Sequence, residues 1–175
     1  LDEQYLNVDI QLGGSDQRHI LTVAREYLPA IGYKKRVEIM TPLIASLKGP
    51  GTKMSASIPE SHIKIYEGVD SIRRKISKAY CPEGDVKENP IVKLYQFILF
   101  PIRKTVKIER DKKFGGDIVL KDFEEFKKAY VSKSIHPTDI KNHLADELVA
   151  IFSKVRKYFE SNSDIIERLG ENFKS

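Results

Sequence analysis

The sequence has no tryptophan and a single cysteine, Cys81. One thiol cannot build an intramolecular disulfide framework, and this cysteine usage suits a reducing compartment. Long apolar runs are also missing. The best stretch, Ile91 to Ile102, is broken by Lys93, Gln96 and Pro101, and it falls short of the ~20 apolar residues that cross a bilayer. No secretory signal, internal repeat or low-complexity segment is visible.

What is present is a chain of 175 residues, 41% hydrophobic and 31% charged. That suffices for one good core, or for one and a half domains. It begins at Leu1, and its first residues already read as the approach to a strand, so we read it as a piece of a longer protein. Charge is uneven. Residues 1–60 hold 7 Lys/Arg and 7 Asp/Glu, whereas residues 61–175 hold 23 and 18, which is the whole excess of +5. A basic second part permits a polyanionic partner without demanding one.

Val8 to Leu12 alternates apolar and polar, a strand period. Gly13-Gly14 breaks it, and Ser15 or Asp16 is placed to cap a helix with an apolar face of Ile20, Val23, Ala24, Tyr27 and Leu28. Strand, glycine turn and helix start together form a site type for polar or anionic ligands in α/β sheets. Arg36 to Met40 reads as the next strand. A loop follows, with Gly49-Pro50-Gly51 leading into Lys53-Met54-Ser55-Ala56-Ser57. One ammonium, two hydroxyls and backbone N–H donors on such a loop can follow a polyphosphate. On its own the run reads first as a solvated surface loop. The β-α-β series with this loop indicates the last part of a doubly wound sheet.

Beyond Pro59 the character changes. His62 to Tyr66 reads as a short strand or extended link, and Asp70 as the cap of a helix carrying Ile72, Ile76 and Tyr80. Asn89-Pro90 opens another helix that Pro101 stops. Thr105 to Arg110 and Asp117 to Leu120 make the arms of a hairpin, and Asp122 with Glu125 a capping box. Pro137 opens a long helix running through Phe159, and Ser163 caps a short last one ending at Gly170.

Six motifs now stand in one order: Leu1-Asp2 with Tyr5-Leu6 and Asp9; Gly13 to Arg18; Lys53 to Ser57; Ala79 to Pro82 with Asn89-Pro90; Lys113 to Gly116; and His136 to Asn142. Over about the whole chain this resembles the C-terminal half of a tyrosyl-tRNA synthetase of the archaeal/eukaryotic type. The resemblance implies an α/β fold class: the C-terminal part of a Rossmann-type class I catalytic domain over residues 1–60, including the KMSAS loop. A mostly α-helical anticodon-binding domain with a short β-hairpin would follow over 61–175.

The roles come from the resemblance alone. Asp2 would accept a hydrogen bond from the tyrosine phenol, and Gln17 would contact the α-amino end, with Asp9 supporting that shell. Lys53 would neutralise charge on the β- and γ-phosphates of ATP, with Met54 and Ala56 in the same loop and Ser55 and Ser57 donating to pyrophosphate. Mg²⁺ would be shared between the phosphates without a dedicated protein site. Arg18 would lie near the first pair of the tRNA acceptor stem, and Phe114, His136, Pro137 and Asp139 around the first anticodon base. Read as residues only, Gln17 is a solvated helix position, Phe114 is as readily a core anchor under a hairpin as a stacking face, His136 is a helix start and Asp139 can answer the helix dipole.

The family's partners would be L-tyrosine, ATP and tRNA(Tyr). Its usual homodimer would form through a region upstream of this chain, in the cytoplasm and away from membranes. None of the four histidines, His19, His62, His136 and His143, sits in the family's ATP-binding H-x-G-H arrangement. The piece alone is therefore not expected to activate tyrosine. Two alternatives remain at this point: a non-catalytic tRNA-binding paralogue, and a tryptophanyl-tRNA synthetase relative.

Overall fold

The computed structural model describes residues 2–55 and 57–172, and the side chains of 4–55 and 57–168. The chain divides into two compact units, residues 1–44 and 45–175. The segment around Lys53 falls in the second of these units. Backbone bonding explains this. Leu47, itself buried, donates its N–H to the Ser61 carbonyl at 2.9 Å and accepts the Tyr80 N–H at 2.7 Å.

In the first unit a short helix α1 (Asp2–Tyr5) precedes strand β1 (Ile10–Gly14), a 3₁₀ turn (Ser15–Gln17), helix α2 (Arg18–Tyr27) and strand β2 (Val37–Thr41). β1 and β2 are parallel, with Ile10 opposite Val37 and Leu12 opposite Ile39. Parallel neighbours need a crossover, and α2 supplies it. The helix face differs from the sequence expectation. Leu21 is the buried residue, with Ala24 and Leu28 half-buried, while Ile20, Val23 and Tyr27 are exposed. A Cβ on Gly13 would stand 3.2 Å from Leu21 Cδ1, so the flat glycine surface selects which helix face settles on the strand. The opposite sheet face, with Ile10, Leu12, Val37 and Ile39, is exposed.

The second unit is built on helices. Helix α3 (Val69–Lys78) packs on the long helix α7 (Pro137–Ile151). Ile72 and Ile76 from α3 are fully buried, as are Ile140 and Leu144 from α7. Burying each such side chain contributes about 1.5–3 kcal/mol before entropy is counted. Helix α4 (Pro90–Leu94) runs through a π turn (Tyr95–Leu99) into α5 (Phe100–Ile102). Pro101 does not stop the helix at once. Its missing N–H removes the bond to the Phe97 carbonyl, and the wide turn sits just before it. Tyr95, buried, stacks on Phe126 at 4.3 Å between centroids, and Phe126 on Tyr130 at 6.1 Å.

Strands β3 (Val106–Ile108) and β4 (Ile118–Leu120) pair antiparallel as a hairpin that leads to α6 (Phe123–Val131). Asn89 and Asp122 cap α4 and α6 through their side-chain oxygens. Other caps differ from expectation. Gly68 precedes α3, and Asp70 lies inside its first turn without a capping bond. Residues 62–66 form no strand. The last helical stretch breaks at Phe152 (ψ −1°) into α7 and α8 (Ser153–Ser161). Helix α9 runs Ser163–Asn172, with Ser163 as its first residue rather than its cap and Gly170 inside it.

Candidate phosphate loop and nucleic-acid interface

The glycine turn of the first unit is shaped by crowding. A Cβ on Gly14 would clash with Asp16 Oδ1 and stand 3.1 Å from Leu43 Cδ2. Neither Ser15 nor Asp16 caps α2, because Gln17 occupies the cap position without a side-chain bond. Asp16 instead accepts a hydrogen bond from the Gln17 amide at 2.8 Å, so Gln17 is exposed and turned toward its neighbour. Arg18 is exposed at the start of α2. Asp9 pairs with Lys34, and the Lys34 hydrogen bond holds its carboxyl below the usual carboxylate range. The Asp2 side chain lies outside the described residues, as does Ala56.

The loop of the second unit is held from one side. Ser61, fully buried, accepts the Ser55 N–H at 3.1 Å and reaches the Ile58 carbonyl at 2.7 Å through its hydroxyl. Ser55 and Ser57 share a bond between hydroxyls at 2.9 Å. Lys53 and Ser57 are exposed, and Lys53 forms no ion pair among the described residues. The loop therefore presents one unneutralised cation and a hydroxyl pair on a backbone fixed at Ser55.

At the hairpin end a cleft of about 450 Å³ is lined by Phe114, His136 and Asp139 together with Arg110, Glu83 and Lys133. Asp111 caps the 3₁₀ turn Lys112–Phe114 by accepting the Lys113 N–H at 3.0 Å, and Phe114 stands 63% exposed at its end. It is not a core anchor. His136 caps α7, with Nδ1 accepting the Thr138 N–H at 3.2 Å. That bond requires an unprotonated Nδ1, which leaves Nε2–H as a free donor in the neutral ring. Pro137 is the first residue of α7 and half-buried; it sets the helix start and is not among the cleft-lining residues. Asp139, half-buried, sits in the first turn.

Sequence reasoning missed Arg110. Its guanidinium donates to the carbonyls of Gly116 at 2.9 Å and Ser134 at 2.6 Å, tying the hairpin tip to the segment before α7. It also missed Ser61. No sequence motif marks either residue: Arg110 joins two carbonyls brought together by folding, and Ser61 reaches back six residues to the Ser55 N–H. Among the described residues no group of three His, Cys, Asp or Glu side chains is placed to hold a metal ion. Nor is any helix there long and apolar enough to cross a membrane.

A parallel β-α-β unit with a glycine turn, continuing into a helical unit that carries a lysine–serine loop, is a class I tRNA synthetase-like fold. A family model describing tRNA synthetases class I (W and Y) matches residues 1–153, and the chain belongs to that family. It is 43% identical over 161 residues to the cytoplasmic tyrosine–tRNA ligase of Danio rerio, covering 92% of this chain and 30% of that protein. With the tyrosine–tRNA ligase of Saccharolobus solfataricus the identity is 39%, over 98% of this chain and 51% of the relative. The chain thus spans a third to a half of the length of these relatives. Among solved structures, the tyrosyl-tRNA synthetase of Archaeoglobus fulgidus complexed with L-tyrosine superposes with a TM-score of 0.79 at 40% identity, covering 89% of this chain and 48% of that one. A tryptophanyl-tRNA synthetase from Giardia lamblia shares the fold with a TM-score of 0.58 at 22% identity, over 82% of this chain and 33% of that one.

Proposed function

We propose that the protein is a tyrosine–tRNA ligase and that this chain carries its phosphate loop and anticodon-reading part. The observation that carries the reading is the cleft in which Phe114, His136 and Asp139 converge, in a chain 38–43% identical to tyrosine–tRNA ligases over nearly all its length. An exposed ring offers a stacking platform worth about 1–3 kcal/mol per base. A carboxylate accepts from a base edge, and the free Nε2–H of His136 donates.

In the proposed reaction the tyrosine carboxylate attacks the α-phosphorus of ATP, pyrophosphate leaves, and a ribose hydroxyl of tRNA(Tyr) then displaces AMP. Lys53, Ser55 and Ser57 bind the departing phosphates electrostatically, alongside Met54 and Ala56 of the same loop, and no protein nucleophile is needed. Mg²⁺ supplies further charge neutralisation on the phosphates when bound. Asp2 and Gln17 hold tyrosine, and an acceptor built for the phenol is stranded by phenylalanine. Arg18 contacts the acceptor stem. Residues 1–60 belong to the Rossmann-type catalytic domain and 61–175 to the anticodon-binding domain, in a homodimeric cytoplasmic enzyme. The cytoplasmic location follows the Danio rerio relative.

The test is binding of tRNA(Tyr) by this chain against the same tRNA altered at the first anticodon base. Preferential binding of the unaltered tRNA is expected. Equal binding would remove the anticodon role and favour a module without base readout.

A further inference from the structure

Where the two ends of the Lys53 loop close against the end of α3, three segments of the second unit meet. The Leu47 N–H bonds the Ser61 carbonyl, and the Tyr80 N–H bonds the Leu47 carbonyl, which sets Lys48 and Glu60 beside the last turn of α3. The concavity they enclose, about 390 Å³, is lined by four cations, Lys48, Arg74, Lys75 and Lys78, against one carboxylate, Glu60. Glu60 is taken by Arg74 at 2.7 Å. Lys75 is buried and taken by Glu67 and the His62 carbonyl. Lys48 and Lys78 are exposed and make no ion pair among the described residues. The α3 dipole accounts for a lysine at its C-terminus. It does not account for Lys48, which arrives from another segment.

The lining also tells what kind of ligand fits. Among the described residues that line it there is no aromatic side chain to stack a base, and the apolar ones are Leu47 and Ala79. Lys75 lies buried and paired beneath, Arg74 is exposed and paired with Glu60, and the exposed Lys48 and Lys78 ammonium groups have no ion partner among the described residues. Such a site holds phosphates without reading sequence.

We infer that this pocket docks the sugar-phosphate backbone of RNA, through Lys48 and Lys78. The inference rests on the proposal that the protein binds tRNA, and it predicts behaviour opposite to that of the Phe114 cleft. A base-reading residue changes preference between RNAs. Loss of a phosphate-binding lysine weakens all of them and lowers their salt dependence.

The experiment compares the full chain with Lys48→Ala/Lys78→Ala and with Lys154→Ala/Lys157→Ala, which removes the same charge from exposed positions on α8. Each is titrated with tRNA(Tyr), with the same tRNA altered at the first anticodon base, and with a short RNA duplex of unrelated sequence, over a range of salt. The expected result is weaker binding of all three RNAs by the Lys48/Lys78 variant. Its log-affinity against log-salt slope should be shallower by about 2, one for each lost contact, with the control pair unchanged. A slope equal to the control's, a loss confined to one tRNA, or no salt-dependent binding by the unaltered chain would each overturn the site. If the two tRNAs bind alike while the lysine effect persists on all three RNAs, the anticodon reading falls and this one stands.

Discussion

Ser61 Oγ accepts the backbone N–H of Ser55 at 3.1 Å from a position with no solvent exposure. A single hydroxyl therefore fixes the middle of the lysine–serine loop from beneath. Ser61→Ala removes the acceptor and strands a part-buried N–H, which costs about 1–3 kcal/mol locally. The expected outcome is faster hydrogen exchange at the Ser55 amide, by roughly tenfold for each ~1.4 kcal/mol lost, with little change at the α3–α7 core. Unchanged exchange would mean that the loop is held by other bonds.

Two glycines of the same segment separate crowding from backbone strain. Gly49 has φ +90°, and a Cβ there would lie 2.5 Å from Tyr80 Cγ. Gly51 has φ +78° with open space around it. Gly51→Ala carries only the left-handed penalty of about 1–2 kcal/mol. Gly49→Ala adds a clash with a ring whose own backbone is bonded to Leu47. Thermal unfolding should rank Gly49→Ala clearly below Gly51→Ala, and a reversed order would contradict the packing described.

Periodicity and capping chemistry made much of this legible in advance. The parallel strands, the hairpin, Asn89 over α4 and the Asp122 cap all follow from short-range rules. The caps at Asp16 and Asp70 failed because competing partners were local: Asp16 takes the Gln17 amide, and Gly68 already supplies the extended entry to α3. The break at Phe152 could not be read, since apolar spacing continues across it. The edge of the compact unit after Ile44 leaves no local mark, because Leu47 bonds Ser61 and Tyr80, partners distant in sequence. Motif order brought Phe114, His136 and Asp139 forward as candidates, but Arg110 shows itself only through the carbonyls it joins.

Lys53 is the exposed cation of the loop, and its proposed task arises only as phosphate charge develops. With the catalytic domain complete, Lys53→Ala should slow tyrosyl-adenylate formation by about 10²–10³. Tyrosine binding should stay within a few-fold, because nothing in that role involves the amino acid. Pre-steady-state adenylate formation and equilibrium tyrosine titration check the two halves. Equal losses in both would contradict a role confined to the phosphates.

His143 links pH to stability of the second unit. Its Nδ1 lies 2.8 Å from the Tyr95 hydroxyl, and burial lowers its pKa below the ordinary 6.5, while Glu147, Asp146 and Glu109 oppose the shift. The unfolded chain therefore binds a proton at a higher pH than the folded one. The His143 contribution to stability is flat above about 6.5, falls as the pH drops from there through the lowered folded value, and levels once both states are protonated. His143→Gln should flatten that part of the profile in urea denaturation followed between pH 7.5 and 5. An unchanged slope would assign the acid sensitivity elsewhere.

Phe114 and Asp139 line one cleft but offer different chemistry to a nucleotide. The ring is 63% exposed and flanked by Lys113, whose ammonium lies 4.9 Å from its centroid. Stacking tolerates any base, so Phe114→Ala should weaken binding of every tRNA by about 1–3 kcal/mol, whatever its first anticodon base. The Asp139 carboxylate accepts, so Asp139→Asn, which adds donors, should change the preference between bases by about 1–3 kcal/mol, in favour of base edges that present acceptors. A binding matrix of the chain and both variants against four tRNAs differing at that base separates the effects. A base preference that survives Asp139→Asn and vanishes with Phe114→Ala would reverse the assignment, placing selection in the shape of the stack rather than in the carboxylate.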